Sequence, residues 1–438
     1  MRAEKDSDPG LPGRFRRRWD ALSPVGSWSI AVWGAAALLA VLLAALFPAG
    51  SMFAAEAGAT WHLDLAETEL PEAPGITHTH WTLQRPPGGD YDRIGVHRYR
   101  AAETSEPSDA SPDSGQVLFY LPGTFMHGAP SGLSESYDPW LFLARRGVEV
   151  FTLDYRTHAV PVAAEDLSPL AAWGVDLFAE DVHSGVRWAL EQSGVSSLFV
   201  AGFSRGAGFA YGQAAAHPET VAGIVALDGY FKSCAGPASS EDGELEQRLE
   251  AWRATGDWAS DVAGSRGWEA RAALMARALE ASDGAREASA QEKHSQVLAQ
   301  VLFKAWGPGV LAHPREVSPR GVSRAPVLAE LMDDYDRYYP KVQDLEARAA
   351  AAVMDHPALA VDDGWSELRK PVIFFGSTGM GSEFLLGGVH SAAHVGGPRA
   401  QIHVLEGYGH LDVLVAEEAR QEVFEPLLEW LQGQSTQR

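Results

Sequence analysis

Cysteine is all but missing from this 438-residue chain, where Cys234 stands alone. That excludes an intrachain disulfide framework, a multi-cysteine zinc site, a CxxC redox pair and a lipid-modified cysteine near the N-terminus. Basic charge is also in short supply, with 35 Lys and Arg against 58 Asp and Glu and a net charge of −23. A nucleic-acid binder needs a basic footprint, so no nucleic-acid partner is expected. There is no internal repeat, no Tyr-x-x-x-Lys pair, and only one long apolar run. What is present, 46% hydrophobic and 21% charged residues, is ordinary globular composition. The length suits one large α/β domain with an insertion, or about two to three smaller domains.

The single apolar run spans residues 27–47, SWSIAVWGAAALLAVLLAALF, inside a stretch without any charge from 21 to 55. A helix of that length crosses the roughly 30 Å hydrocarbon core of a bilayer. Arg14, Arg16, Arg17 and Arg18 precede it, which predicts a cytoplasmic N-terminus and a main domain outside the cytoplasm. A retained signal-anchor is the first reading, because cleaved signals usually have apolar cores of only about 7–15 residues. A signal cleaved at the small-residue sites 55–57 or 57–59, releasing a secreted domain, is the alternative. The expected division is a cytoplasmic leader (1–26), a transmembrane segment (27–47), a tether (48–75), a core (76–232), a helical cap (233–369) and the rest of the core (370–438).

Within the core, residues 76–85 and 93–100 flank PPGGD and read as a β-hairpin. The stretch 102–116 is polar and of low complexity, hence an exposed loop. Short apolar runs follow at 117–121, 148–153, 197–201, 221–227, 372–375 and 402–405, with amphipathic helical stretches such as 139–146 and 177–192 between them. Continuous apolar strands alternating with helices imply a mostly parallel sheet covered on both faces. The interval 230–370 is too long for one crossover. Its Ala, Glu, Arg and Leu, with Trp252, Trp258, Trp268, Trp306 and Trp365, suggest a mostly helical cap with a small core of its own.

Gly202-Phe203-Ser204-Arg205-Gly206 lies directly between the strand 197–201 and the helical run 209–216. Gly-x-Ser-x-Gly in that setting is a nucleophile elbow: the turn is strained, and side chains two positions either side of the serine would strike the neighbouring strand and helix. The helix N-terminus and the Arg205 N–H would face a developing oxyanion. A serine alcohol needs a base, and His410, in Gly407-Tyr408-Gly409-His410, stands on a glycine-loosened loop after the last strand.

With these features, roughly residues 76–435 resemble the α/β-hydrolase superfamily. The resemblance implies an α/β-hydrolase fold, the order nucleophile, acid, histidine, and no metal or organic cofactor. It implies a second oxyanion N–H from the loop after the third strand, here Leu121-Pro122-Gly123-Thr124-Phe125-Met126, with Thr124 or Phe125 as donor. The sequence departs from the family at the acid. The seventh strand runs into Gly376-Ser377-Thr378-Gly379-Met380-Gly381-Ser382-Glu383 without an Asp. Asp228, after the sixth strand, and Glu383 are therefore the two candidates, and Asp412 reads as a local structural partner. The implied activity is ester hydrolysis by a Ser-His-acid triad, on a small-molecule or lipid-like ester, next to the membrane that holds the N-terminal helix.

Two rivals use the same residues. Gly202, Gly206 and Gly208 have the spacing of short-chain NAD(P)-dependent oxidoreductases, with Asp228 where a ribose-binding acid would fall. Several strands precede the motif, however, and the Tyr-Lys pair is missing. A non-catalytic binding protein on the hydrolase fold is the other. His78 with His80, and His390 with His394, have spacings a metal could use, but read as structural or surface histidines. Asp333-Asp334-Tyr335-Asp336 reads as a solvated helix face.

Overall fold

The computed structural model describes residues 60–102, 115–234, 241–261, 312, 315, 321–354, 356 and 358–435. The expected transmembrane segment (27–47), the cleavage sites and most of the polar 102–116 loop lie outside them. Among the described residues, no helix is long and apolar enough to cross a membrane.

The strands, in chain order, are β1 (His62–Glu69), β2 (Ile76–Gln84), β3 (Arg93–Ala101), β4 (Gln116–Leu121), β5 (Val148–Asp154), β6 (Leu198–Phe203), β7 (Val221–Leu227), β8 (Ala259–Asp261), β9 (Tyr338–Pro340), β10 (Val372–Ser377) and β11 (Ala400–Leu405). All but β8 and β9 join one nine-stranded sheet, ordered β1-β2-β3-β5-β4-β6-β7-β10-β11. The first three strands are antiparallel and the six from β5 to β11 are mutually parallel. The hairpin is in continuous register from Ile76↔Ala101 to Gln84↔Arg93.

Alternation along each central strand builds two apolar layers. Val117, Phe119 and Leu121 of β4 enter one core cluster, and Leu118 and Tyr120 enter the other. Successive side chains of a strand point to opposite faces, so a run apolar at every position is buried on both. The helices are α1 (Pro139–Arg145), α2 (Val175–Ser193), α3 (Arg205–Ala216), α4 (Glu241–Thr255), α5 (Ala325–Asp333), α6 (Lys341–Ala352), α7 (Ser382–Gly396), α8 (Asp412–Val415) and α9 (Glu425–Ser435). Asp138 caps α1 by accepting from Trp140 N and Leu141 N at 2.8 and 3.1 Å, with Pro139 in the first turn. Gly194, at φ 70, ends α2 in the left-handed conformation that glycine adopts without cost.

Three expectations are corrected. Residues 62–69, read as part of a tether, form the edge strand β1. All eight of them are exposed, so the strand carries no buried apolar face for a pattern to reveal. It is held by its ladder to β2 and by Glu67, whose carboxylate takes Arg100 Nε and Nη2 at 2.7 and 2.6 Å and the Thr77 hydroxyl at 2.7 Å. The insertion, read as mostly helical with a small core of its own, also contains the β8–β9 ribbon, and its core is not separate. Its Trp365 is fully buried in the core of the sheet, against Tyr211 at 5.7 Å and Phe231 at 5.0 Å. Asp336 is not solvated: it is 9% exposed and bonded to Thr157 and His158.

Candidate active site

Ser204 stands between β6 and α3 at φ 55 and ψ −118, a strained conformation for a residue with a Cβ. Its N–H donates to Leu227 O at 2.9 Å. The flanking glycines are obligatory. A Cβ on Gly202 would come within 2.1 Å of Gly206 O, and one on Gly206 within 2.0 Å of Leu121 O. The elbow therefore forms only where β6, α3 and the loop after β4 can touch backbone to backbone.

His410 is 2% exposed, on the turn after β11. Its Nδ1 lies 2.7 Å from Asp228 Oδ2, and Asp228 is fully buried at the end of β7 with φ 40. Ser377 N donates to Asp228 Oδ1 and Ser377 Oγ to Asp228 Oδ2, both at 2.7 Å. An ionised carboxylate can only accept, so this network puts the proton on Nδ1 and leaves Nε2 as the basic nitrogen. The Phe203 ring, next to the serine, stacks on the imidazole at 4.6 Å, and Phe384 meets it edge-on at 5.6 Å. Tyr230 in turn packs against Phe384 at 5.2 Å. The imidazole thus sits in an aromatic slot that fixes its plane.

The histidine turn is braced from within and from the insertion. Asp412, fully buried, accepts from Gly409 N at 2.7 Å and from Ser323 Oγ at 2.6 Å, beside an antiparallel bridge between Ser323 and Ala416. Asp412 therefore shapes the turn, as the sequence suggested. Glu383 is exposed in the first turn of α7, whereas Asp228 is the carboxylate bonded to the imidazole. Both oxygens of Asp228 are engaged by Ser377 and His410, which leaves the ribose-binding role without a carboxylate to perform it.

Thr124 and Phe125 are the central pair of a tight turn closed by Met126 N to Gly123 O at 3.0 Å, with Phe125 at φ 66. The turn abuts the elbow serine, since a Cβ on Gly123 would meet Ser204 Cβ at 3.2 Å. Asp336 N secures it by donating to Phe125 O at 2.7 Å. Arg205 opens α3 with its amide beside the elbow, and its guanidinium reaches α6, Nη2 to Asp344 Oδ1 at 2.6 Å. Four contributors escaped the sequence reading: Ser377, Ser323, Phe384 and Tyr230. Ser377 had a legible signal, being the first polar residue at the strand end where an acid was sought. The other three act across tertiary contacts that no local pattern encodes.

No family model and no curated protein matches this chain. Solved structures do. A "putative lipase" of Sulfolobus solfataricus is 21% identical, covers 86% of this chain and 99% of its own, and superposes with a TM-score of 0.63. A thermostable carboxyl esterase of Bacillus coagulans is 14% identical over 82% of this chain and 99% of its own, with a TM-score of 0.48. A monoglyceride lipase of Saccharomyces cerevisiae is 12% identical over 85% and 96%, with a TM-score of 0.44. The likeness to the Sulfolobus structure is one of fold: this chain has the α/β-hydrolase fold.

Proposed function

We propose that the protein hydrolyses carboxylic esters through an acyl-enzyme. The observation that carries this reading is the buried 2.7 Å bond from His410 Nδ1 to Asp228 Oδ2, in a fold whose elbow presents Ser204. Ser204 Oγ attacks the ester carbonyl as its proton passes to His410 Nε2. The carbonyl oxygen, now an anion, is met by the N–H groups of Arg205 and of Thr124 or Phe125. The tetrahedral intermediate collapses and the alcohol leaves with the proton from His410. Water, deprotonated by the same nitrogen, then attacks the acyl-Ser204 ester, and the proton returns to Ser204 as the acid departs. Throughout, Asp228 holds the imidazole in its Nδ1–H tautomer and balances the imidazolium.

The aromatic wall of Tyr230 and Phe384 favours an apolar acyl or alcohol group, which supports a lipid-like ester. The charge-free run 27–47 behind an arginine cluster supports tethering of the catalytic domain to a membrane, on its outer side. Fluorophosphonate labelling of the full-length protein tests the chemistry. Labelling of the wild type and its loss in both Ser204→Ala and His410→Ala is the expected result. A folded wild type that neither takes the probe nor cleaves any of a panel of short- and long-chain esters overturns the proposal and leaves a binding protein on the hydrolase fold.

A further inference from the structure

A second cluster of titratable side chains lies behind the oxyanion turn, around Asp154 at the end of β5. The carboxylate is 4% exposed, and its Oδ1 accepts Gly128 N at 2.8 Å and Ala129 N at 3.2 Å. Four imidazoles surround it. His97 Nε2 lies 2.8 Å and His80 Nε2 3.8 Å from Oδ2, while His127 and His158 each offer an atom such that theirs and one of Asp154 all lie within 4.8 Å of one another.

We propose that His127 Nδ1, His158 Nε2 and Asp154 form a binding site for one divalent transition-metal ion of the Zn²⁺ type, with water completing its shell. His127 Nε2 donates to the backbone oxygen of Asp334 at 2.7 Å, so Nδ1 is the nitrogen left over. That nitrogen is buried and has no hydrogen-bond partner among the described residues, on a side chain only 7% exposed. A buried polar atom without a partner is destabilising, and a ligated cation would supply the partner. His158 Nδ1 is likewise taken by Asp336 Oδ1 at 2.8 Å, leaving Nε2. Ligating imidazoles are characteristically oriented by such an oxygen acceptor on the distal nitrogen.

Ring geometry separates this pair from the other. The His127 and His158 rings are 4.4 Å apart and inclined at 42°, so their planes intersect, as two imidazoles that share an ion require. The His80 and His97 rings are 4.1 Å apart and within 6° of parallel, so no ion lies in both planes. His97 is also engaged at both nitrogens, by His78 and Asp154. The local field suits a dication. Carboxylates surround the pair, with Asp334 Oδ2 3.4 Å from His127 Nε2 and Asp336 Oδ1 2.8 Å from His158 Nδ1. His158, 41% exposed, supplies an entrance and an open coordination position. Two imidazoles and one carboxylate suit Zn²⁺, whereas Mg²⁺ and Ca²⁺ take oxygen shells. The ion would clamp the segment that follows the oxyanion turn to the end of β5.

Full-length protein without a histidine tag, stripped by a chelator and equilibrated with Zn²⁺ alone or Mg²⁺ alone, tests this by elemental mass spectrometry. Wild type is expected to retain about one Zn²⁺ per chain and no Mg²⁺. His127→Gln and His158→Gln each weaken zinc binding by about tenfold or more, while His390→Gln on α7 leaves it unchanged. Substoichiometric uptake by wild type, or undiminished uptake by the variant carrying both His127→Gln and His158→Gln, overturns the site. Should the variants fail to fold, zinc-edge X-ray absorption of the wild type decides. Imidazole scattering with nitrogen and oxygen neighbours at about 2.0–2.1 Å supports the site, and an all-oxygen shell overturns it. None of these readouts depends on ester hydrolysis.

Discussion

Asp228 occupies a left-handed conformation, at φ 40, and has both oxygens engaged by Ser377 and His410. That arrangement lets it accept from Nδ1–H but not donate. Asp228→Asn puts an amide NH2 in reach of Nδ1 and favours the wrong tautomer. We expect kcat on an ester substrate to fall by about 10³–10⁴-fold, with KM nearly unchanged. Glu383→Gln, on an exposed residue of the first turn of α7, should leave kcat within about twofold, since surface substitutions away from a site do little. Equal losses in the two variants would move the orienting role away from Asp228.

At the scale of the element, the junction of β6 and α3 is governed by three glycines with different physical roles. A Cβ on Gly202 or Gly206 collides with backbone, which cannot step aside. A Cβ on Gly208 meets Tyr230 O at 3.5 Å, an ordinary contact, and Gly208 lies within a helix. Gly206→Ala is therefore expected to cost more than about 4 kcal/mol or to prevent folding. Gly208→Ala should raise stability by about 0.5–1 kcal/mol, as alanine loses less entropy in a helix than glycine. Chemical denaturation of the two variants checks the contrast. A neutral Gly206→Ala would mean that the elbow relaxes more readily than its contacts allow. Two of the three glycines that suggested a dinucleotide site, Gly202 and Gly206, thus have a steric cause in the elbow, whereas Gly208 has none.

Across the whole molecule, a buried ion pair is among the ties that fasten the insertion to the sheet. Lys232, 1% exposed and five residues beyond β7, donates to Asp362 Oδ2 at 2.6 Å and to the carbonyls of Ala350 and Val353 at 2.6 and 2.8 Å. Asp362, also 1% exposed, accepts from His356 N at 2.9 Å. Lys232→Ala strands a buried carboxylate and is expected to cost about 3–5 kcal/mol. The double variant Lys232→Met with Asp362→Leu should regain most of that, because two apolar groups of similar volume carry no unpaired charge. Thermal denaturation of both proteins is the check. A double variant as unstable as the single one would show that the lysine contributes through its backbone-carbonyl bonds.

The sequence by itself determined the strand series, the serine elbow and the histidine turn, because each is a local consequence of chain chemistry. Apolar runs must be buried on both faces, glycines must flank a strained serine, and Gly-x-Gly loosens the chain before His410. It narrowed the acid to two residues and left the choice open. Asp228 and Glu383 differ only in which reaches an imidazole 182 residues along the chain from Asp228, a matter of how β7, β10 and the turn after β11 lie side by side. The edge strand β1 was hidden because it buries no side chain. Tertiary structure alone decided the bracing of Asp412 by Ser323, the aromatic slot around His410 and the gathering of four histidines about Asp154. Each joins groups far apart in sequence, through contacts that exist only once the sheet has set their distances.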